Sequence, residues 1–408
     1  MKTFKIISLF SISLFFLTII SCKKDQEVIT NIIPATDITE KLQELVNQEY
    51  DSYLEKYPEF PGGLAVHVIS PKGSGYAQKG VDDSFTDRYH FRAQSLTKSI
   101  TAAGIMLLHQ NGLLNITDYI TDTVPGKDFT YLPSTSDYNI PYKDQICIRD
   151  LLSHRAGVFD IINDPAEGGY YIETILDSMP DYTFTIDEIV GVNAENQLSY
   201  FSPGTDFHYS NIGYMMLAKI IERISGKSYK SFMHDEFVVP LGMTDTSFPD
   251  SGSDQTIPSP FVSSMGWAGD YILDLTESNM SLDIGEGNMI SSTRDIANFY
   301  SKLIKGEAGV NNTNINMKML DCYSVSNNNT IEYGLGLFHY LNLGYGHGGD
   351  GLGFSIRCYT DPDKDFTIVL FTNCWNYMGG LENQEYFMEQ QLKLIEFLYD
   401  TKQAVLDF

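Results

Sequence analysis

Between residues 38 and 57 the apolar positions Leu42, Leu45, Val46, Tyr50, Tyr53 and Leu54 recur every three or four residues. That is the spacing of one buried helix face, and Pro58 ends it. The period then changes. Residues 62–69 are rich in Leu, Val and Ile, Pro71-Lys72-Gly73 reads as a turn, and residues 74–80 return as the second strand of a hairpin. Residues 95–108 are apolar or small on every side, which predicts a helix buried in the middle of the protein, yet Lys98 sits in it. From Leu113 to about Gly287 short helical patterns (148–154, 213–225, 229–238) alternate with turn-rich loops. Beyond Ser292 come a helix over 294–304 and strand-like runs at 332–341, 354–359 and 366–372. The last two are joined by a turn containing Asp361 and Asp365, and an amphipathic helix over 381–399 follows. The expected fold is α/β plus all-α: an antiparallel sheet flanked by helices, built from about 38–94 and 290–408, with an inserted helical subdomain of about 95–289. No internal repeat is present.

The first residues stand apart. Lys2 and Lys5 precede an apolar run over 6–20 that is too short for a comfortable membrane span, the layout of a secretion signal. Ile19-Ile20-Ser21-Cys22 resembles the lipobox at which bacterial lipoproteins are cut and acylated. We therefore expect a signal peptide over 1–21, lipidation at Cys22, and a polar tether over 22–37. The mature domain, 38–408, would be secreted across the inner membrane and held to a membrane by that anchor, facing the periplasm or the cell surface. An ordinary cleaved signal with an incidental cysteine is the alternative.

Charge narrows the partners. With 27 Lys and Arg against 53 Asp and Glu the net charge is −26, and no basic cluster interrupts it. Nucleic acid phosphates would be repelled, so no nucleic-acid role is expected. Cys147, Cys322, Cys358 and Cys374 lack metal-ligand spacing, so no metal or other cofactor is implied, and they allow three disulfide pairings between which the sequence does not choose.

The chemistry centres on Ser95-Leu-Thr-Lys98. A hydroxyl becomes a useful nucleophile when a base takes its proton, and a lysine three residues on lies on the same helix face. Alone, the tetrapeptide is better read as a helix cap followed by a solvated lysine. The apolar helix behind Lys98 favours the first reading, because desolvation lowers an ammonium pKa toward neutrality.

Further landmarks follow in a fixed order: Phe91-Arg-Ala-Gln-Ser-Leu-Thr-Lys98, Leu151-Leu-Ser-His-Arg-Ala-Gly157, Pro203-Gly-Thr-Asp-Phe-His-Tyr-Ser-Asn-Ile-Gly-Tyr214, Pro240-Leu-Gly-Met-Thr-Asp245 and His347-Gly-Gly-Asp-Gly-Leu-Gly-Phe354. Together they resemble the serine β-lactamase and penicillin-binding-protein superfamily, on the branch of class C β-lactamases, D-alanyl-D-alanine carboxypeptidases and related esterases. The resemblance implies a β-lactamase/transpeptidase-like fold and an acyl-enzyme on Ser95. It makes Tyr209, in Tyr209-Ser-Asn211, a base shared with Lys98 and stable as a phenolate beside that cation. Asn211 would orient the acyl side chain of the substrate, and His347 with Gly349 would line the opposite wall. The oxyanion hole would be the backbone N–H groups of Ser95 and Asp350, with an aspartate where an ionised side chain would oppose the developing charge. His154 is expected to be structural.

Histidine at 347, where β-lactamases carry lysine, shifts the expected substrate. A histidine holds a carboxylate only while protonated, below about pH 6.5 if unperturbed. A small-molecule or short-peptide substrate is expected, a D-amino-acid peptide of cell-wall origin or a small ester ahead of a β-lactam. The alternative is a slow-acylating or non-catalytic peptide- or penicillin-binding module. No G-x-S-x-G elbow, H-E-x-x-H or phosphate loop is present.

Overall fold

The computed structural model describes residues 35–82, 84–164, 175–176, 179–325, 330–380 and 384–408. The expected signal peptide, the acylated Cys22 and most of the tether lie outside the described residues. No described helix is long and apolar enough to cross a membrane.

The chain opens with helix α1 (Ala35–Lys56), which begins three residues before the apolar periodicity does. It is followed by strands β1 (Leu64–Ser70), β2 (Gly73–Lys79) and β3 (Phe91–Arg92), then by helices α2 (Thr97–Gln110), α3 (Ile148–Leu152), α4 (Ile186–Asn196), α5 (Asn211–Ser225) and α6 (Tyr229–Met233). Next come β4 (Met265–Trp267), β5 (Ile272–Asp274), β6 (Ile290–Ser291), helix α7 (Thr293–Ile304), β7 (Tyr323–Ser324), β8 (Ile331–Tyr333) and β9 (Phe338–Tyr340). The long strands β10 (Gly344–Gly351), β11 (Phe354–Asp361) and β12 (Phe366–Thr372) lead to β13 (Cys374–Asn376) and helix α8 (Glu385–Asp407).

Eight strands form one antiparallel sheet in the order β2-β1-β12-β11-β10-β9-β8-β7. Leu64 of β1 lies opposite Thr372 of β12, so segments from the two halves of the chain pair inside the sheet, one strand in from its β2 edge. Both faces are covered, which explains why β12 is apolar at successive positions instead of alternating. Phe366, Ile368 and Leu370 pack with Ile38, Leu42 and Leu398 beneath α1 and α8. Val369 and Phe371 point the other way and join Ile296 and Phe299 of α7 and Ile100 of α2 in the larger core. Antiparallel sheet with flanking helices is the fold expected.

Several boundaries differ from the sequence expectation. Residues 332–341 are two strands, not one: Gly336 takes φ +75° where α2 comes close, and a Cβ there would lie 2.4 Å from that of Ala102. The α-helical part of the stretch over 229–238 ends at Met233, and α8 runs on to Asp407. All four cysteines after Cys22 are free thiols.

At the sheet end nearest α2, Arg357 joins three elements. Its guanidinium grips Asp350 of β10 through both oxygens (3.0 and 2.8 Å) and donates to Gln391 of α8 at 2.6 Å. Removing one partner of such a buried pair leaves the other group unsatisfied. Arg357→Met is expected to lower folding stability by about 3 kcal/mol in urea denaturation; a loss within experimental error would show that the pair only orders the hairpin.

Candidate active site

Ser95 is the only residue between 91 and 106 that is not buried. It sits in a single 3₁₀ turn, Gln94–Leu96, that leads into α2, and Gln94 before it takes the left-handed conformation (φ +52°). One turn on, Lys98 is wholly buried and its Nζ lies 3.1 Å from Ser95 Oγ. Two more acceptors complete the ammonium: the Glu286 carbonyl at 3.0 Å and the Glu286 carboxylate at 2.6 Å. Burial pulls Lys98 below the usual lysine range, and the Glu286 carboxylate pulls back. The loop bearing Glu286 is clamped along α2 by two threonines one helical turn apart. Thr97 Oγ1 accepts the Met289 N–H at 3.1 Å, and Thr101 Oγ1 donates to the Gly285 carbonyl at 2.6 Å.

Tyr209 and Asn211 flank Ser210, whose side chain caps α5. The segment 151–157 holds them in place. His154 is left-handed (φ +56°), its Nδ1 accepts the Ser210 N–H at 3.1 Å, and its ring packs 4.2 Å from that of Tyr209. Asp160 accepts the Asn211 N–H at 3.1 Å, and burial pushes its carboxyl up to about 6. The Tyr209 phenol lies beside Ser95, and Lys98 Nζ lies 4.9 Å from its ring centroid. The expected phenolate is not the resting form. Burial drives the phenol well above its ordinary range despite the Ser95 contact, and the charges of Glu286, Asp160 and Asp350 push the same way. The Asn211 side-chain oxygen is buried without a hydrogen-bond partner among the described residues.

On the opposite wall, His347 is 1% exposed. Its Nδ1 lies 2.6 Å from the Gly348 carbonyl and must carry the proton, so Nε2 accepts from Tyr333 OH at 3.2 Å. The same logic fixes His154: its Nδ1 accepts from a backbone N–H, so its Nε2 donates to Tyr333 OH at 3.2 Å. A directed chain therefore runs from Ser210 through His154 and Tyr333 to His347. The expectation that His347 charges near pH 6.5 fails, because burial pulls it down to about 3, and Lys98 and Arg357 add to that pull.

Gly349 faces the Ser95 turn so closely that a Cβ would lie 2.5 Å from the Ala93 carbonyl oxygen. Leu352 and Gly353, both with positive φ, form the two-residue loop between Gly351 and Phe354. The pair flanking such a loop is hydrogen-bonded, so the next, Asp350 with Ser355, is not, and the Asp350 N–H points off the sheet edge toward that turn. The Asp350 carboxylate is held by Arg357.

Ser95, Lys98, Tyr209, Asn211, His347, Gly349 and Asp350 thus meet at one cleft. Glu286 and Tyr333 are the polar residues that sequence reasoning missed. The available signal for Glu286 was an acidic residue between two glycines, Gly285-Glu286-Gly287, three positions after Asp283.

The Beta-lactamase family profile matches residues 50–393. One penicillin-binding protein of Bacillus subtilis is 31% identical over 174 residues, 42% of this chain but only 33% of that protein. The putative penicillin-binding protein PbpX of the same organism is 25% identical over 353 residues, 85% of this chain and 79% of that one. In structure, the D-amino acid amidase of Ochrobactrum anthropi superposes with a TM-score of 0.70 at 24% identity, covering 91% of this chain and 99% of its own.

A group whose folded pKa is depressed to about 3 from 6.5 takes its proton in the unfolded chain first, so His347 withdraws stability as pH falls through that window. Between pH 8 and 5 the His347 imidazole signals are expected to stay fixed in NMR titration. Movement centred near 6.5 would place a cation in the cleft and reverse the substrate preference argued below.

Proposed function

The chain belongs to the Beta-lactamase family, and on that premise we propose that it is a serine hydrolase that cleaves an amide or ester through a covalent acyl-enzyme on Ser95. The supporting observation is the buried Lys98 amine 3.1 Å from the one accessible hydroxyl of the α2 turn. Ser95 Oγ attacks the carbonyl carbon and passes its proton to Lys98. The oxyanion is met by the backbone N–H groups of Ser95 and Asp350. Tyr209, a neutral phenol beside Ser95, donates to the leaving nitrogen or oxygen and is reprotonated from Lys98. Water then releases the acyl group.

The substrate we propose is neutral at its leaving end. The cations nearest the cleft are committed, Lys98 to Glu286 and Arg357 to Asp350, and His347 is uncharged. A net charge of −26 adds long-range repulsion of anions. The unpaired Asn211 oxygen suits an N–H on the acyl side. A D-amino-acid amide or short peptide amide fits these constraints better than a carboxylate-bearing β-lactam, in keeping with the amidase named above. The lipobox-like segment supports a place at the cell envelope, where cell-wall peptides carry D-residues. Asp350 is what keeps the binding-module alternative open, and its pairing with Arg357 offsets the charge that would oppose an oxyanion.

Intact-mass spectrometry of the native protein and Ser95→Ala, after a fluorophosphonate, a penicillin and a short-chain ester, should show Ser95-dependent adducts, with the ester adduct decaying. No such adduct with any probe would leave a binding protein on this fold. D-phenylalanine amide should exceed benzylpenicillin in kcat/KM by about tenfold or more, the cost of leaving a carboxylate without a cation; the reverse order would refute the neutral-end assignment. Tyr209→Phe should slow amide turnover about 100-fold. It should largely spare fluorophosphonate labelling, because fluoride departs without needing a proton, and equal losses in both assays would assign Tyr209 to nucleophile activation instead.

A further inference from the structure

The carboxylate of Glu286 is an addition to the Ser-Lys-Tyr set, and it is not a surface charge that happens to lie nearby. It is 4% exposed, it approaches Lys98 Nζ to 2.6 Å, and its own backbone carbonyl occupies a second hydrogen of the same nitrogen. A third group backs it: Asp283, partly buried, accepts the Glu286 N–H on its backbone carbonyl at 3.0 Å, and its carboxyl lies beside that of Glu286. Two neighbouring carboxyl groups, one buried and one partly buried, repel each other when both are ionised, so the pair favours holding one proton. Burial and Glu286 together drive the Asp283 carboxyl well above its ordinary range, which puts that proton on Asp283 at rest. Lys98, Glu286 and Asp283 then sum to zero charge, the arrangement a dry site tolerates.

This arrangement raises a difficulty for the resting enzyme. An ammonium whose three hydrogens go to Glu286 O, Glu286 Oε2 and Ser95 Oγ has no lone pair with which to accept the Ser95 proton. We infer that Glu286 is the proton store of the Ser95–Lys98 pair, taking a proton from Lys98 Nζ onto Oε2 so that the freed amine accepts the Ser95 proton, and returning it once the leaving group has been protonated. This rests on the acyl-enzyme assignment above. The proton count closes: one proton moves from nitrogen to carboxylate, one from Ser95 Oγ to nitrogen, one from the enzyme to the leaving group, and the stored proton restores Lys98. Glu286 acts through Lys98 and is a positioning residue; it touches no substrate atom.

Other titratable groups face this cluster and bear on its pH dependence. Tyr209 approaches from the segment before α5, Asp160 from the segment after α3, Tyr229 from α6, and Arg92 of β3 lies toward Asp283. His154 and His347, both uncharged, lie around Lys98. None of them contacts Lys98 Nζ as Glu286 does.

The test is the pH dependence of the second-order rate of Ser95 labelling by a fluorophosphonate, in which Oγ bonds to phosphorus, fluoride leaves and the Oγ proton passes to Lys98. In the native protein the acid limb reports protonation of the carboxyl pair. In Glu286→Gln, which keeps shape and hydrogen bonding, it reports the Lys98 ammonium itself. The acid limb is therefore expected to move upward by about one pH unit or more in Glu286→Gln and to return close to the native position in Glu286→Asp, with melting temperatures recorded for each variant. A uniform fall in rate with the limb unmoved would make Glu286 a structural prop and overturn the inference, as would Glu286→Asp shifting as far as Glu286→Gln. A native protein that shows no Ser95-dependent labelling at any pH would instead overturn the hydrolase assignment and the inference with it. A labelled native protein with an unmoved limb in the variant overturns the inference alone.

Discussion

One buried ammonium organises this protein. Placing Lys98 in the middle of an apolar helix removes it from water at a cost of several kcal/mol, and much of the surrounding chain is arranged to meet that cost. The Gly285–Met289 loop lies along α2 on two threonine hydroxyls so that Glu286 presents both its carbonyl and its carboxylate to one nitrogen. The third hydrogen is left for Ser95. The charge proposed to activate the serine is thus also the charge that fixes where α2, the Glu286 loop and the Ser95 turn must sit relative to one another.

Across the cleft, rigidity comes from neutral groups. His154, Tyr333 and His347 have no freedom of tautomer, because a backbone donor at one end and a backbone acceptor at the other set the direction of every hydrogen bond between them. A wall ordered in this way presents fixed dipoles without a charge, and it differs in kind from a wall carrying a lysine. The glycines of β10 let this wall approach the nucleophile turn closely.

The contact of Ser95 with Lys98 was legible because it is local: three residues apart on one helix face. Strand β12 was legible because both its faces are buried, which writes an unbroken apolar run, whereas the glycine-rich β10 gave no strand pattern. Tyr209 and His347 were legible only through the ordered landmarks of a family, since nothing in a loop tripeptide or a glycine-rich run encodes chemistry by itself. Glu286 escaped because its contact with Lys98 spans 188 positions in a loop with no period. The charge states of Tyr209 and His347 were misjudged for one reason: both depend on burial, which a short loop or a glycine-rich strand does not announce.

The pairing of β1 with β12 sets a condition on how the chain reaches this state. Leu64 must find Thr372, about 300 positions away, and closing so long a loop costs about 5 kcal/mol of chain entropy before any contact is made. The β10–β11–β12 meander closes through short loops and does not carry that cost. The physically economical order is for the C-terminal meander to form first and capture the N-terminal hairpin afterward, with the helical segment folding between them. A chain still emerging during synthesis would hold β1 and β2 without their sheet partner until nearly all of it is made, so closure of the sheet waits on the last strands.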